Sequence, residues 1–189
     1  MEASMRSIAI MLTLTLILSV IAHASCPPGF LSKTETFLVP DGLGGCCPVE
    51  VSFCYKSTTT QFIVSYGTIK FYNQDCSVLF GPGLFNFLSK KILLKYDPDV
   101  NVCPLTTTKV LDETKSSCYA VASAPVNTLP IEFVPCGNSI CKRICTYCKS
   151  VNDTDPCSGE PMINYLGCQF INEVCTPDPA TNCIINTCS

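Results

Sequence analysis

Residues 46–57 have the sequence CCPVEVSFCYKS, and this stretch decides the fold. From Val49 to Tyr55 an apolar side chain occupies every second position, with polar side chains or a cysteine between them. A period of two is typical of a β-strand with one buried face. The preceding run 33–39 is rich in threonine and other β-preferring residues, and the glycine-rich segment 40–45 separates the two runs. The sequence therefore predicts a β-hairpin.

Cys46 and Cys47 stand side by side at the start of this strand. Successive side chains of a strand point to opposite faces of the sheet, so a disulfide between these neighbours is disfavoured. We expect each of the two cysteines to bond to a different partner.

Further short β candidates surround one helical segment. The strand candidates are 61–66, 68–72, 109–111, 118–123 and 131–134, and Gly67 is predicted to form a bend or bulge. Between them, the apolar residues Leu84, Phe85, Leu88, Ile92 and Tyr96 fall on one face of a helix. The sequence predicts a helix over 84–96, packed on the sheet rather than lying on a membrane. The expected fold is mostly β, with a short-stranded sandwich or barrel-like front part and one helix.

Cysteines are the most informative residues in the composition. The chain of 189 residues has 16 of them, a density typical of a secreted disulfide scaffold. All are predicted to form disulfides, although spacing alone does not give the pairing. These residues are Cys26, Cys46, Cys47, Cys54, Cys76, Cys103, Cys118, Cys136, Cys141, Cys145, Cys148, Cys157, Cys168, Cys175, Cys183 and Cys188.

The N-terminus predicts export. Arg6 precedes an apolar run over 8–21, and Ala22-His23-Ala24 is a small-x-small cleavage site. We therefore expect residues 1–24 to be a signal peptide, and no later segment is long and apolar enough to span a membrane. The rest divides into a β-rich domain, 25–135, and a cysteine-dense β/loop subdomain, 136–189.

Cysteine parity predicts that these two parts are joined covalently. Seven cysteines precede residue 136 and nine follow from it, and both numbers are odd. If every cysteine pairs within the chain, at least one disulfide joins the two parts. The second part has few apolar residues, so we expect it to depend on disulfides in place of a core.

Charge and histidine content exclude several functions. The net charge is −3 without a run of like charges, so nucleic acid is not an expected partner. The small lysine cluster Lys90, Lys91 and Lys95 is predicted to be a solvated helix face.

The only histidine, His23, lies in the signal peptide, which leaves no imidazole for a catalytic triad or a metal site. We expect no enzyme, no catalytic residue, no cofactor and no metal; a glycosidase-like carboxylate pair is the alternative that needs no histidine.

Three motifs have specific alternatives. Cys145 and Cys148 have C-x-x-C spacing but lack the βαβ context of a redox protein, and with Cys136 and Cys141 they could hold zinc only if oxidation did not occur first. The segment 97–101 begins like a calcium loop but lacks the later glycine and glutamate, so we expect a turn. Asn152 begins the sequon Asn-Asp-Thr and is a candidate glycosylation site in an exposed turn.

Three short segments resemble cysteine-rich exported proteins of bacteria. They are CPPGF at 26–30, GCCPV at 45–49 with Cys54-Tyr55, and Pro135-Cys136-Gly137 leading into CKR at 141–143. The resemblance implies export and β structure, and it carries no active site. Thaumatin-like proteins also have sixteen cysteines, but their Thr-Gly-Asp-Cys-type segment is absent here.

These observations favour a non-enzymatic, secreted structural or adhesive protein, such as a subunit of a surface layer, fibre or matrix. Its expected partner is protein, including copies of itself in oligomers or filaments, because short strands offer edges for pairing. The alternative is a soluble secreted binding module, such as an inhibitor, toxin or effector, which presents the loop 97–104 or 151–161.

Overall fold

The computed structural model describes residues 26–104, 109–122, 129–137, 139–172 and 183–185. The predicted signal peptide, together with Cys175 and Cys188, lies outside these residues. The described part is mostly β, as predicted, with one α-helix. Its elements are β1 (Leu31–Pro40), β2 (Cys46–Ser57), β3 (Gln61–Phe71), α1 (Pro82–Tyr96), β4 (Lys109–Ser116), β5 (Cys118–Val121), β6 (Ile131–Pro135), β7 (Ile140–Thr154), β8 (Pro161–Asn172) and β9 (Cys183–Ile185).

The predicted hairpin is confirmed. β1 and β2 pair antiparallel from Pro40 opposite Cys46 to Leu31 opposite Tyr55. In the turn, Asp41 Oδ1 accepts hydrogen bonds from the amides of Leu43 at 2.7 Å and Gly45 at 2.8 Å. The carboxylate of Asp41 thus satisfies amides that the tight turn leaves without backbone partners.

β3 is the branch point of the sheet. It pairs with β2 along one side, and along the other side it pairs first with β4, in parallel, and then with β6, antiparallel. Gly67 lies between these two segments, next to a register shift against β2. A Cβ atom at Gly67 would lie 2.8 Å from Ser52 Oγ, so the close approach of β2 requires glycine here. The predicted bulge at Gly67 is therefore confirmed.

The described strands form one open sheet in the order β8-β7-β4-β3-β6-β5-β9, with β2 and then β1 attached to β3. α1 packs on this open sheet. Leu84, Phe85, Leu88 and Ile92 of α1 are buried, so the predicted helix and its inner face are confirmed.

The sheet is continuous across the predicted boundary between residues 135 and 136. β7 pairs with β4 and β8 pairs with β7, so both strands extend the sheet begun by the front part. They are long, with 15 and 12 residues. β7 has three disulfide-bonded cysteines and β8 has one.

Candidate functional site

Disulfides connect the sheet at many points. Six pairs are formed between described cysteines, and Cys118 and Cys141 are also disulfide-bonded, so none of the described cysteines is free. Cys46 and Cys47 bond to different partners, as strand geometry predicts, and two of the six described pairs join residues on either side of position 136. The six pairs are Cys26–Cys54, Cys46–Cys157, Cys47–Cys76, Cys103–Cys148, Cys136–Cys183 and Cys145–Cys168.

The C-x-x-C motif is divided between two of these disulfides. Cys145 bonds to Cys168 across β7 and β8, and Cys148 bonds to Cys103 in the segment after α1. The motif is therefore not a dithiol pair, and its thiolates are not available to a metal. Asn152 is exposed near the end of β7, where its amide donates to Ser150 Oγ at 3.2 Å. Its glycosylation stays a prediction.

The central strand β4 has charged residues on its buried face. Every second residue of β4 is buried, and three of these four side chains are ionisable: Lys109, Glu113 and Lys115. Leu111 is the fourth. Burying a charge is costly unless it is paired, so the partners of these three residues define the chemistry of the core.

Lys109 forms a buried ion pair with Asp97, the residue that follows α1. Asp97 also accepts hydrogen bonds from Tyr147 Oη at 2.6 Å and from Ser57 Oγ at 3.0 Å. Burial and the contact with Asp97 raise the pKa of the Tyr147 phenol. Asp97 is the first carboxylate of the segment 97–101, which was expected to form a turn. Because it pairs with Lys109, its role is structural.

Glu113 forms the second pair, with Arg143 of β7. Ser89 of α1 donates to the same Glu113 oxygen, and Tyr66 Oη lies 2.8 Å from Ser89 Oγ. Arg143 also donates to Asn86 Oδ1 at 2.7 Å. Burial opposes the charge of Arg143, but Glu113, Tyr165 and Tyr66 together outweigh it and raise the pKa of the guanidinium. This cluster fixes α1 to the middle of the sheet.

Lys115 is the third charged residue of the β4 face, and it is only 8% exposed. Its Nζ lies 4.3 Å from the centroid of the Phe85 ring, a cation–π contact. Burial lowers the pKa of Lys115 to about 8, although Glu113 acts in the opposite direction. A lysine with a depressed pKa beside an open pocket is a candidate functional group.

The pocket beside Lys115 is small, with a volume of about 20 Å³, which is room for about one water molecule. It lies between the start of α1 and the strands β4, β7 and β8. Its wall combines one carboxylate, several cations and apolar surface. The lining residues are Pro82, Glu113, Lys115, Cys141, Lys142, Arg143, Phe170 and Asn172.

The lysine cluster of α1 is not a solvated face throughout. Lys91 is 8% exposed and forms an ion pair with Asp155, so the prediction is wrong for this residue. Lys95 is half exposed and lies 2.7 Å from Glu35 of β1. Sequence reasoning missed both pairs because each partner is more than fifty positions away in the chain.

Among the described strands, β8 forms one edge of the sheet, and its composition is unusual for an edge. None of its twelve residues is charged, and Leu166, Phe170 and Ile171 are each more than half exposed. β1, an edge strand on the branch through β2, includes Lys33 and Glu35 and ends in Pro40. Charges and proline are the usual protection of a sheet edge against pairing, and only β1 has them.

Comparison with known proteins finds no matching family model, no matching curated protein and no matching solved structure. Within the described residues, no helix has the length and apolar character needed to cross a membrane. The many disulfides indicate an oxidising environment, as in the extracellular space.

Proposed function

We propose that this chain is a secreted, non-enzymatic structural or adhesive protein that assembles with copies of itself through β8. The observation that supports this most directly is the edge itself: a twelve-residue strand without charge, bearing three exposed large apolar side chains. An open strand of this kind offers backbone donors and acceptors to an incoming strand.

A second copy of the chain is the partner that best fits this edge. β8 has no charged residue, so it offers no electrostatic attraction to a charged partner. Two identical strands can pair antiparallel about a twofold axis, so that each copy presents the same surface to the other. Edge pairing of β8 would thereby extend the sheet from one molecule into the next.

The disulfide framework supports a role outside the cell. Crosslinks such as Cys46–Cys157 restrict the unfolded chain, which favours resistance to heat and proteases. The predicted signal peptide and the absence of histidine after His23 fit a secreted protein that works through its surface. Secretion and a surface-layer, fibre or matrix role are parts of the same proposal.

The test compares two edge leucines of equal exposure. Leu166 of β8 is 57% exposed and Leu31 of β1 is 59% exposed. We expect the oxidised wild-type protein to form dimers or larger assemblies in light scattering at high concentration. Leu166→Lys should shift the protein to monomers, because an edge lysine opposes strand pairing, and Leu31→Lys should leave assembly unchanged.

Two results would contradict the proposal: a wild-type protein that stays monomeric at high concentration, or two lysine variants with the same effect. A monomeric protein would favour the alternative, a soluble binding module. The loop after β7 fits that alternative, because Cys157 is crosslinked to Cys46 and Asp155 is buried against Lys91. Replacement of the exposed residues of this loop, followed by capture from extracellular fluid, would then separate the two functions.

A further inference from the structure

The regular part of the β8 edge is short. From Gly167 to Asn172 the strand pairs with β7 residue by residue, but a register shift leaves Leu166 without a residue opposite it on β7. Such a bulge interrupts regular pairing and bends the strand. A second copy that adds to this edge in regular register therefore pairs with the described residues 167–172.

The side chains of this segment alternate between the two faces of the sheet. Phe170 lines the same small pocket as Pro82, the first residue of α1, so it lies on the face that the helix covers. Gly167, Gln169 and Ile171 therefore lie on the face away from α1. All three are exposed, and the exposed fraction of Ile171 is 54%. An added strand meets these three residues on that face.

A groove opens at Gly167 on the face away from α1. Its volume is about 410 Å³, and besides Gly167 it is lined by Ile144 and Thr146 of β7 and by Val110 of β4. A Cβ atom at Gly167 would have no described atom within 4 Å beyond its chain neighbours. The strand therefore has a gap at its edge, where a side chain of an adjacent strand can lie.

Twofold symmetry restricts how two copies of this edge align. In an antiparallel pair, residues directly opposite each other point to the same face of the sheet. A twofold axis perpendicular to the sheet must therefore pass through a residue rather than between two residues. An axis at Gln169 pairs residues 167–171 of the two copies, and an axis at Phe170 pairs residues 168–172. These two registers use most of the regular edge.

We propose that two copies pair with Gln169 at the twofold axis, so that Ile171 of each copy lies over Gly167 of the other. This inference rests on the proposed assembly through β8 and adds its register. The exposed Ile171 side chain then closes the groove at Gly167, twice in each dimer. The two Gln169 amides meet across the axis, where each offers both donors and an acceptor to the other. An axis at Phe170 would instead place Ile171 against the polar Gln169 and leave both grooves open to water.

Charge-exchange variants test this register, with the dimer dissociation constant measured by analytical ultracentrifugation at low ionic strength. Gly167→Lys and Ile171→Glu should each weaken the dimer by about tenfold, because each opposes edge pairing twice per dimer. The double variant Gly167→Lys with Ile171→Glu should recover most of this loss, since the new opposite charges lie directly across from each other. The matched control, Gln169→Lys with Ile171→Glu, has the same net charge but should not recover, because two lysines then meet at the axis.

The outcomes separate this inference from the proposed assembly. A wild-type protein that stays monomeric at high concentration contradicts both. If the wild type assembles and Leu166→Lys disrupts it, the assembly through β8 stands and the double variants decide the register. Recovery in the control double variant alone places the axis at Phe170 and overturns the proposed register. Recovery in both double variants, or in neither, overturns it as well.

Discussion

Lys109 and Asp97 form an ion pair that is almost fully withdrawn from solvent, with exposed side-chain fractions of 3% and 0%. Lys109 lies on the central strand β4, and Asp97 follows the last residue of α1. The pair therefore fixes the end of the helix to the middle of the sheet.

Replacement of Lys109 by Met should be strongly destabilising. The change leaves the Asp97 carboxylate buried with hydroxyl donors but no cation, which costs about 3–5 kcal/mol for a broken buried pair. Guanidinium unfolding with the disulfides intact measures this loss. The double variant Lys109→Met with Asp97→Asn should recover part of it, because no unpaired charge remains.

An exposed ion pair provides the control for this experiment. Lys95 is 52% exposed and pairs with Glu35 of β1. Lys95→Met should cost less than about 1 kcal/mol, as surface pairs usually do. Equal losses in the Lys95 and Lys109 variants would contradict the structural role assigned to the buried pair.

Lys115→Met should stabilise the protein at neutral pH. The folded state lowers the pKa of Lys115 from 10.5 to about 8, so below that pH the buried ammonium group opposes folding. Between these two values the unfolded chain binds more protons than the folded one, and the stability of the wild-type protein rises with pH relative to the variant. We expect the variant to be more stable by about 2–3 kcal/mol near neutrality, with the difference decreasing as the pH approaches 10.5.

Unfolding curves of both proteins at several pH values check this expectation. Lys90→Met should give a smaller gain, because Lys90 is less buried than Lys115. A Lys115→Met variant that is less stable than wild type at neutral pH would show that Lys115 is a structural residue.

Asp155→Asn should remove a contribution to the free energy of unfolding that is present at neutral pH and absent in strong acid. Burial alone would raise the pKa of Asp155, but hydrogen bonds from Lys91, the Cys157 amide and Ser158 outweigh it and lower the pKa below 3.8. The folded state therefore favours the carboxylate, and its contribution is lost as the pH falls through the lowered pKa. We expect a cost of about 3 kcal/mol near neutrality that disappears in strong acid.

The neighbouring Asp153 is the control for Asp155. Its pKa is also lowered, by hydrogen bonds from Asn164 and Ser150, but its carboxylate is exposed. Asp153→Asn should have a much smaller effect on the unfolding free energy. The role of the Lys91–Asp155 pair would be disproved by a loss in Asp155→Asn that persists unchanged in strong acid.

The sequence predicted the hairpin and the helix because their apolar residues follow simple periods. β2 alternates between apolar and polar positions, and the inner face of α1 shows helical spacing. β4 could not be oriented in this way, since its buried face consists of Lys109, Leu111, Glu113 and Lys115. The charged residues Lys109 and Glu113 of β4 can be buried only because residues of other elements pair with them.

The candidate site could not be predicted from the sequence for the same reason: its residues come from different elements. Lys115 and Arg143 are close only because β4 pairs with β7, and the pocket also requires α1 and β8. No local motif marks these residues. The uncharged edge of β8 is visible in the sequence, but only the strand order shows that β8 lies at an edge.

The disulfides join the strands into one crosslinked sheet, and non-reducing peptide mapping by mass spectrometry tests this framework most directly. The structure predicts that the peptide with Cys46 and Cys47 is linked to the peptides of both Cys157 and Cys76. After cleavage next to Tyr147, it predicts separate pairs for Cys103–Cys148 and Cys145–Cys168. Free thiols at these positions, or a disulfide that joins Cys145 to Cys148, would contradict it.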